Sequence, residues 1–204
     1  MKNIKILSAG LLAVMVVMTG QALADTMTVN TDSSWKYSKI EITGWNTPGI
    51  DDSTWSNAVE IGNNGISPWS NVYLGTTAKW IWTSDSFNDD IAYFRKEINI
   101  DGIPTSAWVN ITVDNQYDLY VNGVWRARDL NWWTVERYPV NLNPGKNIIA
   151  VKGVDTGNPA ALLADVKINY IPTTPPPPLL PELPTIALMG FGILGLIFMV
   201  NRKW

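Results

Sequence analysis

The stretch "VNGVWRARDLNWWTVERY" brings Trp125, Arg126, Arg128, Asn131, Trp132 and Trp133 into one hairpin and the loop after it. Indole faces stack on the apolar faces of pyranose rings while guanidinium and carboxamide groups bond sugar hydroxyls, so this mixture suits a shallow carbohydrate site. Packing competes for the same residues, because Trp is mostly buried in folded proteins. Trp132 and Trp133 are adjacent, and in a strand only one of two neighbours can face the core, which leaves the other for stacking. A second cluster, "DSFNDD", gathers Asp85, Asp89 and Asp90 with Ser86 and Asn88. Calcium takes clustered oxygens of this kind and is the one cofactor the sequence suggests. The spacing is not that of an EF-hand loop, and a solvated acidic loop explains the same residues.

The chain has no His and no Cys. That excludes a Ser-His-Asp triad, a thiol nucleophile and an ordinary zinc or copper site. Carboxylates, Tyr, Lys and oxygen-liganded metals remain for catalysis. Asp114 and Asp118 are available to a paired-carboxylate glycosidase, but Asp in such a chain mostly forms turns and surface charge, and no residue is assigned a catalytic role. Residues 25–171 carry 11 Lys and Arg against 17 Asp and Glu, a formal charge of −6. Nucleic acid and anionic lipid favour a basic face, so neither is expected as a partner. Ten of the eleven Trp lie between Trp35 and Trp133.

The elements that must position these residues are strands. In "AWVNITV", Ala107, Val109, Ile111 and Val113 share one face and Trp108, Asn110 and Thr112 the other. In "ALLADVKINY", Leu162, Ala164, Val166, Ile168 and Tyr170 alternate with Leu163, Asp165, Lys167 and Asn169. Phe94, Ile98 and Ile100 mark the inward face of "IAYFRKEINI", with Lys96 an exception at the same parity. Such period-two patterns belong to antiparallel sheets with one side wet. Asn122-Gly123 between two alternating runs signals a type I′ hairpin, and Asp101-Gly102 and "NPGKN" mark further turns. The expected fold is all-β, an antiparallel jelly-roll β-sandwich of about eight or more strands in two packed sheets. A closed barrel is the second choice.

The two ends read differently. Lys2 and Lys5 precede an apolar stretch and Ala22-Leu23-Ala24, the pattern of a secretory signal peptide over residues 1–24. Residues 25–171 form the sandwich, and residues 172–184 form a Pro-rich linker that extends as polyproline II and cannot join a sheet. Residues 185–204 hold a single hydrophobic helix and a basic tail. Its apolar run at 186–200 spans only ~22 Å, against the ~30 Å of a hydrocarbon core, and Gly190, Gly192 and Gly195 weaken it further as a durable anchor.

From Trp45 to Ile168 the core resembles galactose-binding-like jelly-roll domains, above all the non-catalytic sugar-binding sandwich of family 2 glycoside hydrolases and α-L-rhamnosidases. The residues that carry the resemblance are Asp51-Asp52-Ser53-x-Trp55, Phe94-Arg95-Lys96 and the run from Asp114 through Tyr117 and Tyr120 to Asn122-Gly123. It implies that Asp52 and Ser53 cap a turn and that Trp55 fills one end of the sandwich. The C-terminus is similar to PEP-CTERM sorting signals of Gram-negative bacteria that make exopolysaccharide: Pro181-Glu182, the apolar helix, then Arg202-Lys203. Leu183 stands where that family usually has a second Pro. The resemblance implies export, transient inner-membrane association with the domain in the periplasm, processing by an exosortase-type membrane protease, and delivery to the cell surface or matrix. The combined expectation is a non-catalytic domain that binds polysaccharide or another matrix component. The alternatives are a structural or adhesive biofilm-matrix protein with protein partners, and a small glycosidase.

Overall fold

Alternating apolar residues on the longest strands close two sheets onto each other. The computed structural model describes residues 23–72 and 77–173. Pro172, expected to open the linker, instead ends the last strand in register with Gly102. Nearly all of the expected signal peptide, the Pro-rich linker beyond Thr173, the helix expected at 185–204 and the sorting residues Pro181, Glu182, Arg202 and Lys203 lie outside the described residues. Among the described residues no helix is long and apolar enough to cross a membrane. Ala22–Thr174 forms one compact unit that contains every strand given below.

That unit is all-β, with twelve strands among the described residues: β1 Asp25–Asn30, β2 Lys36–Ser38, β3 Ser56–Asn57, β4 Val59–Asn63, β5 Lys79–Trp82, β6 Ile91–Ile100, β7 Gly102–Asp114, β8 Gln116–Val121, β9 Val124–Asp129, β10 Glu136–Pro139, β11 Gly145–Val154 and β12 Ala161–Pro172. One antiparallel sheet runs β10-β7-β12-β5-β4, with β1 also on β12; the other runs β3-β2-β6-β11-β8-β9. This is the jelly-roll sandwich that the alternation predicts. Ala107, Val109, Ile111 and Val113 of β7 and Leu162, Ala164, Val166 and Ile168 of β12 face Phe94, Ile98, Leu119, Val121, Ile149 and Val151 of the other sheet in one core. The β8–β9 turn takes positive φ at Asn122 (51°) and Gly123 (83°), as a type I′ hairpin requires.

The outer faces depart from the expected wet surface. On the β7/β12 sheet, Leu163 and Ala161 are buried with their β5 neighbour Trp80 beneath Trp69 and half-buried Trp132. On the β6/β11 sheet, Trp45 and Trp55 cover Tyr93, Ile148 and Ala150. Trp55 therefore lies on a sheet face and does not fill an end of the sandwich. The turn there is capped by Asp51, whose Oδ1 accepts the Ser53 amide (2.9 Å), while Asp52 instead pairs with Arg95 (3.0 Å). The physical reason is the composition: indoles in the connecting loops have nowhere to bury except over the sheets, so both faces carry aromatic covers. Where these covers stop, the candidate sites begin.

Candidate functional site

Strict alternation along β9 would put Trp125 on the same inward face as Ala127, which is buried in the core. The register prevents it. Leu119 pairs with Ala127 but Tyr120 pairs with Trp125, so Arg126 is an extra residue in a β-bulge. The bulge reverses the parity, and Trp125 and Arg128 both emerge on the outer face beside Asp118, whose neighbours Tyr117 and Leu119 point into the core. Trp125 Nε1 donates to Asp118 Oδ1 (3.1 Å), and Arg128 forks onto the same carboxylate through Nε (2.8 Å) and Nη2 (2.7 Å). The Arg128 fork, with the Trp125 bond, holds the Asp118 carboxyl below the usual carboxylate range and raises the guanidinium in turn. Trp125 is thus an exposed indole, 55% accessible, whose polar edge is pinned. Arg126 contributes nothing to this group, and its Nε is buried without a partner.

Residues 130–135 cross from the edge strand of one sheet to that of the other. Asn131 shapes this crossing: its Oδ1 accepts the Trp133 amide (2.9 Å) and its Nδ2 donates to Thr134 Oγ1 (3.1 Å). Thr112, outward on β7, donates to the Trp132 carbonyl (2.9 Å). Trp132 and Trp133 do not diverge as neighbours in a strand would. They lie in a loop and stack, with ring centroids 4.3 Å apart and planes at 20°. Trp132 packs on the outer cluster, and Trp133 is 65% exposed.

These two indoles, with Trp69, Ser70, Asn71 and Val72, line a depression of about 330 Å³. Trp69 is stacked on Trp80 (4.9 Å, 28°), and its Nε1 donates to Asp114 Oδ2 (2.8 Å). Asp114 is buried, and its Oδ1 has no partner. Burial pushes its carboxyl above the ordinary range, the Trp69 bond pulls it back, and Asp155 nearby pushes it up again. Sequence patterns did not single out Trp69, Ser70 or Asn71, because what joins them to Trp132 is contact across more than sixty residues.

The six residues of the opening stretch therefore separate. Asn131, Trp132 and Trp133 belong to the outer side of the β7/β12 sheet; Trp125 and Arg128 belong to the outer side of the β6/β11 sheet. Asp114 and Asp118 part in the same way, one on Trp69 and one on Arg128, and do not flank a common cleft. In the acidic loop Asp85 accepts from Asn88 Nδ2 (2.9 and 2.8 Å) and the Phe87 amide (3.2 Å). Asp89 pairs with Lys39 (2.6 Å) and accepts from Thr83 Oγ1, and the Asp90 carbonyl accepts the Asp155 amide (2.7 Å). Among the described residues no group of three acidic side chains is placed to hold a metal ion. A cation entering this loop would have to displace Lys39 from Asp89.

No protein-family model matches the chain. No curated protein matches it either. Solved structures similar to it include a β-glucuronidase from glycoside hydrolase family 2 (17% identity, 74% of this chain and 18% of that one, TM-score 0.49). Another is Bacteroides uniformis β-glucuronidase 2 covalently bound to cyclophellitol-6-carboxylate aziridine (14% identity, 72% and 18%, TM-score 0.48). A third is the lectin from Pleurotus ostreatus in complex with GalNAc (31% identity, 60% and 40%, TM-score 0.42). The chain spans 18% of the length of either β-glucuronidase chain and 40% of the lectin.

Proposed function

We propose that the chain is an exported, non-catalytic domain that binds carbohydrate in the depression formed by Trp69, Trp132 and Trp133. One observation carries this reading: the stacked Trp132–Trp133 pair presents an exposed indole face over a concave wall. The rings are held before any ligand arrives, Trp132 by the cluster beneath it and Trp133 by its stack on Trp132, while Asn131 holds the Trp133 backbone, so little side-chain entropy is lost on binding. Ser70 and Asn71 supply hydroxyl and carboxamide groups at the rim. The volume lies near the lower end of small-molecule sites, suited to one or two sugar rings.

A glycan array probed with the Ala22–Thr174 unit tests this. Specific sugar binding is expected, and Trp133→Ala is expected to weaken it tenfold or more, about 1.4 kcal/mol, with the melting temperature unchanged because the ring is mostly outside the core. Silence on the array together with self-association or protein capture would favour a structural or adhesive matrix protein instead.

Delivery rests on the sequence patterns at the two ends. A signal peptide at 1–24 exports the domain, the short apolar run holds it at the inner membrane, and an exosortase-type protease acting near Pro181-Glu182 releases it toward the cell surface or polysaccharide matrix. Mass spectrometry of the protein from its native host is expected to find the segment beyond Pro181-Glu182 missing. An intact tail on the mature protein would sink the sorting route and leave the binding site untouched.

A further inference from the structure

We infer that the domain carries a second, separate saccharide platform at Trp125, on the opposite face of the sandwich, so that one molecule bridges two glycan chains. This rests on the carbohydrate reading of the Trp69–Trp132–Trp133 depression. The observations behind it are independent of that depression. Trp125 is exposed, yet it is not a loose surface ring: its indole N–H is tied to Asp118, which Arg128 grips from the other side. A large aromatic surface left in water and immobilised by a buried carboxylate has no packing role to explain it, whereas stacking against a sugar ring needs this arrangement.

The bulge at Arg126 is the structural device, because it turns Trp125 away from the core and sets it beside Arg128. The fork uses Nε and Nη2, which leaves Nη1 directed away from Asp118 as a donor for a sugar hydroxyl. Charge around Trp125 is balanced. Asp118 stands between Arg128 and Lys152, its partner in register, while Lys152 lies over the Tyr93 ring (5.6 Å) and the Tyr93 hydroxyl donates to Glu41 (3.1 Å). These two cations and two carboxylates, with the Arg95–Asp52 and Lys146–Glu97 pairs farther along the same sheet, leave no net field beside Trp125 to attract a charged sugar, so the ligand class is a neutral saccharide.

The two platforms cannot serve one short ligand. The depression lies outside the β7/β12 sheet and Trp125 outside the β6/β11 sheet, with the whole core between. Packed sheets alone are about 10 Å apart, and the outer layers add to that. Two sites facing opposite ways make each monomer bivalent, so a polymer bound on both faces is cross-linked, with the gain in avidity that bivalence gives.

The test uses the Ala22–Thr174 unit with neutral exopolysaccharide purified from the producing cells and with oligosaccharides cut from it. Titration with the oligosaccharides is expected to show two sites per chain, falling to one in Trp125→Ala and to one in Trp133→Ala. Turbidity or gelation of the polymer by the wild-type unit is expected to vanish in either single variant although each still binds. The inference is overturned if Trp125→Ala keeps the wild-type site count and still cross-links, even where Trp133→Ala abolishes binding, a result that leaves the first site standing. Absence of any binding by the wild-type unit overturns both readings.

Discussion

Arg95→Ala is expected to destabilise the sandwich by about 2–4 kcal/mol, the scale of buried acceptors stripped of their donor together with the lost packing of a buried side chain. Arg95 is on β6 but points away from the core, and is still only 1% exposed. Its Nη1 reaches Asp52 Oδ2 (3.0 Å) and donates to the Ile50 carbonyl (3.3 Å), its Nη2 donates to the Thr47 carbonyl (3.0 Å), and its guanidinium sits 5.8 Å from the Trp55 ring centroid. Burial lowers its pKa and Asp52 opposes that, so the group stays a cation. Truncation leaves the Ile50 and Thr47 carbonyls without their donor, at about 1–3 kcal/mol for each that stays buried, while Asp52, with 28% of its side chain exposed, can turn to water. Truncation also frees the segment that lays Trp45 and Trp55 over the β6/β11 sheet. Arg95→Lys is expected to recover only part of the loss, since a compact ammonium cannot reach three acceptors spread along a planar fork. Chemical denaturation measures both, and a loss below about 1 kcal/mol for Arg95→Ala would mean that the aromatic cover holds itself down.

Arg95 also shows what the sequence made legible. Phe94, Ile98 and Ile100 read correctly as the inward face of β6, because alternation reports which residues face the opposite sheet. Alternation reports nothing about what lies over the other face, so it does not mark Arg95 as buried and it places Leu163 and Asp165 on a side expected to be wet, although all three are buried. The covers of Arg95 and Leu163 come from Trp55, Trp69 and Trp132, far along the chain, and Asp165 is closed over by Asn110 beside it on β7 and by β1, so no local period encodes these contacts. Lys96, the apparent exception at an inward parity, is half-buried and donates to Ser34 Oγ at the margin of the core. At the candidate site the residue types were legible and the geometry was not. One extra residue at Arg126 reversed the face of Trp125, and Trp132 and Trp133 stacked because they lie in a loop, outside any strand. Asn122-Gly123 was readable to the residue because its signal is local: positive φ at two consecutive positions restricts the side chains that can stand there.

Gly153 and Trp82 give the second large effect, and it comes from a fit between the sheets that composition alone does not show. Trp82 is fully buried, its Nε1 donates to the Asp89 carbonyl (3.0 Å), and its ring lies 5.2 Å from that of Phe94. The indole from β5 presses on β11 where Gly153 stands: a Cβ there would come within 2.6 Å of Trp82 Cη2 and 2.8 Å of Cζ3, with Val113 Cγ1 at 3.4 Å. Neither ring atom can yield, because Trp82 is enclosed by core side chains on every side, so Gly153→Ala is expected to cost about 1–3 kcal/mol by overpacking. Trp82→Ala is expected to cost about 3–5 kcal/mol, through lost burial and the cavity left behind. The two changes should not add. Once the indole is gone, the new methyl meets open space and partly fills it, and Ala restricts the unfolded chain more than Gly does. Gly153→Ala in the Trp82→Ala background is therefore expected to be neutral or mildly stabilising, a coupling of about 1–3 kcal/mol. Additive losses in a double-mutant cycle would mean that Gly153 is required for some reason other than the room it leaves for Trp82. Both residues lie inside the core, so a Gly153→Ala unit that still folds should keep its glycan affinity, and the stability loss stays separable from any loss at the exposed indoles.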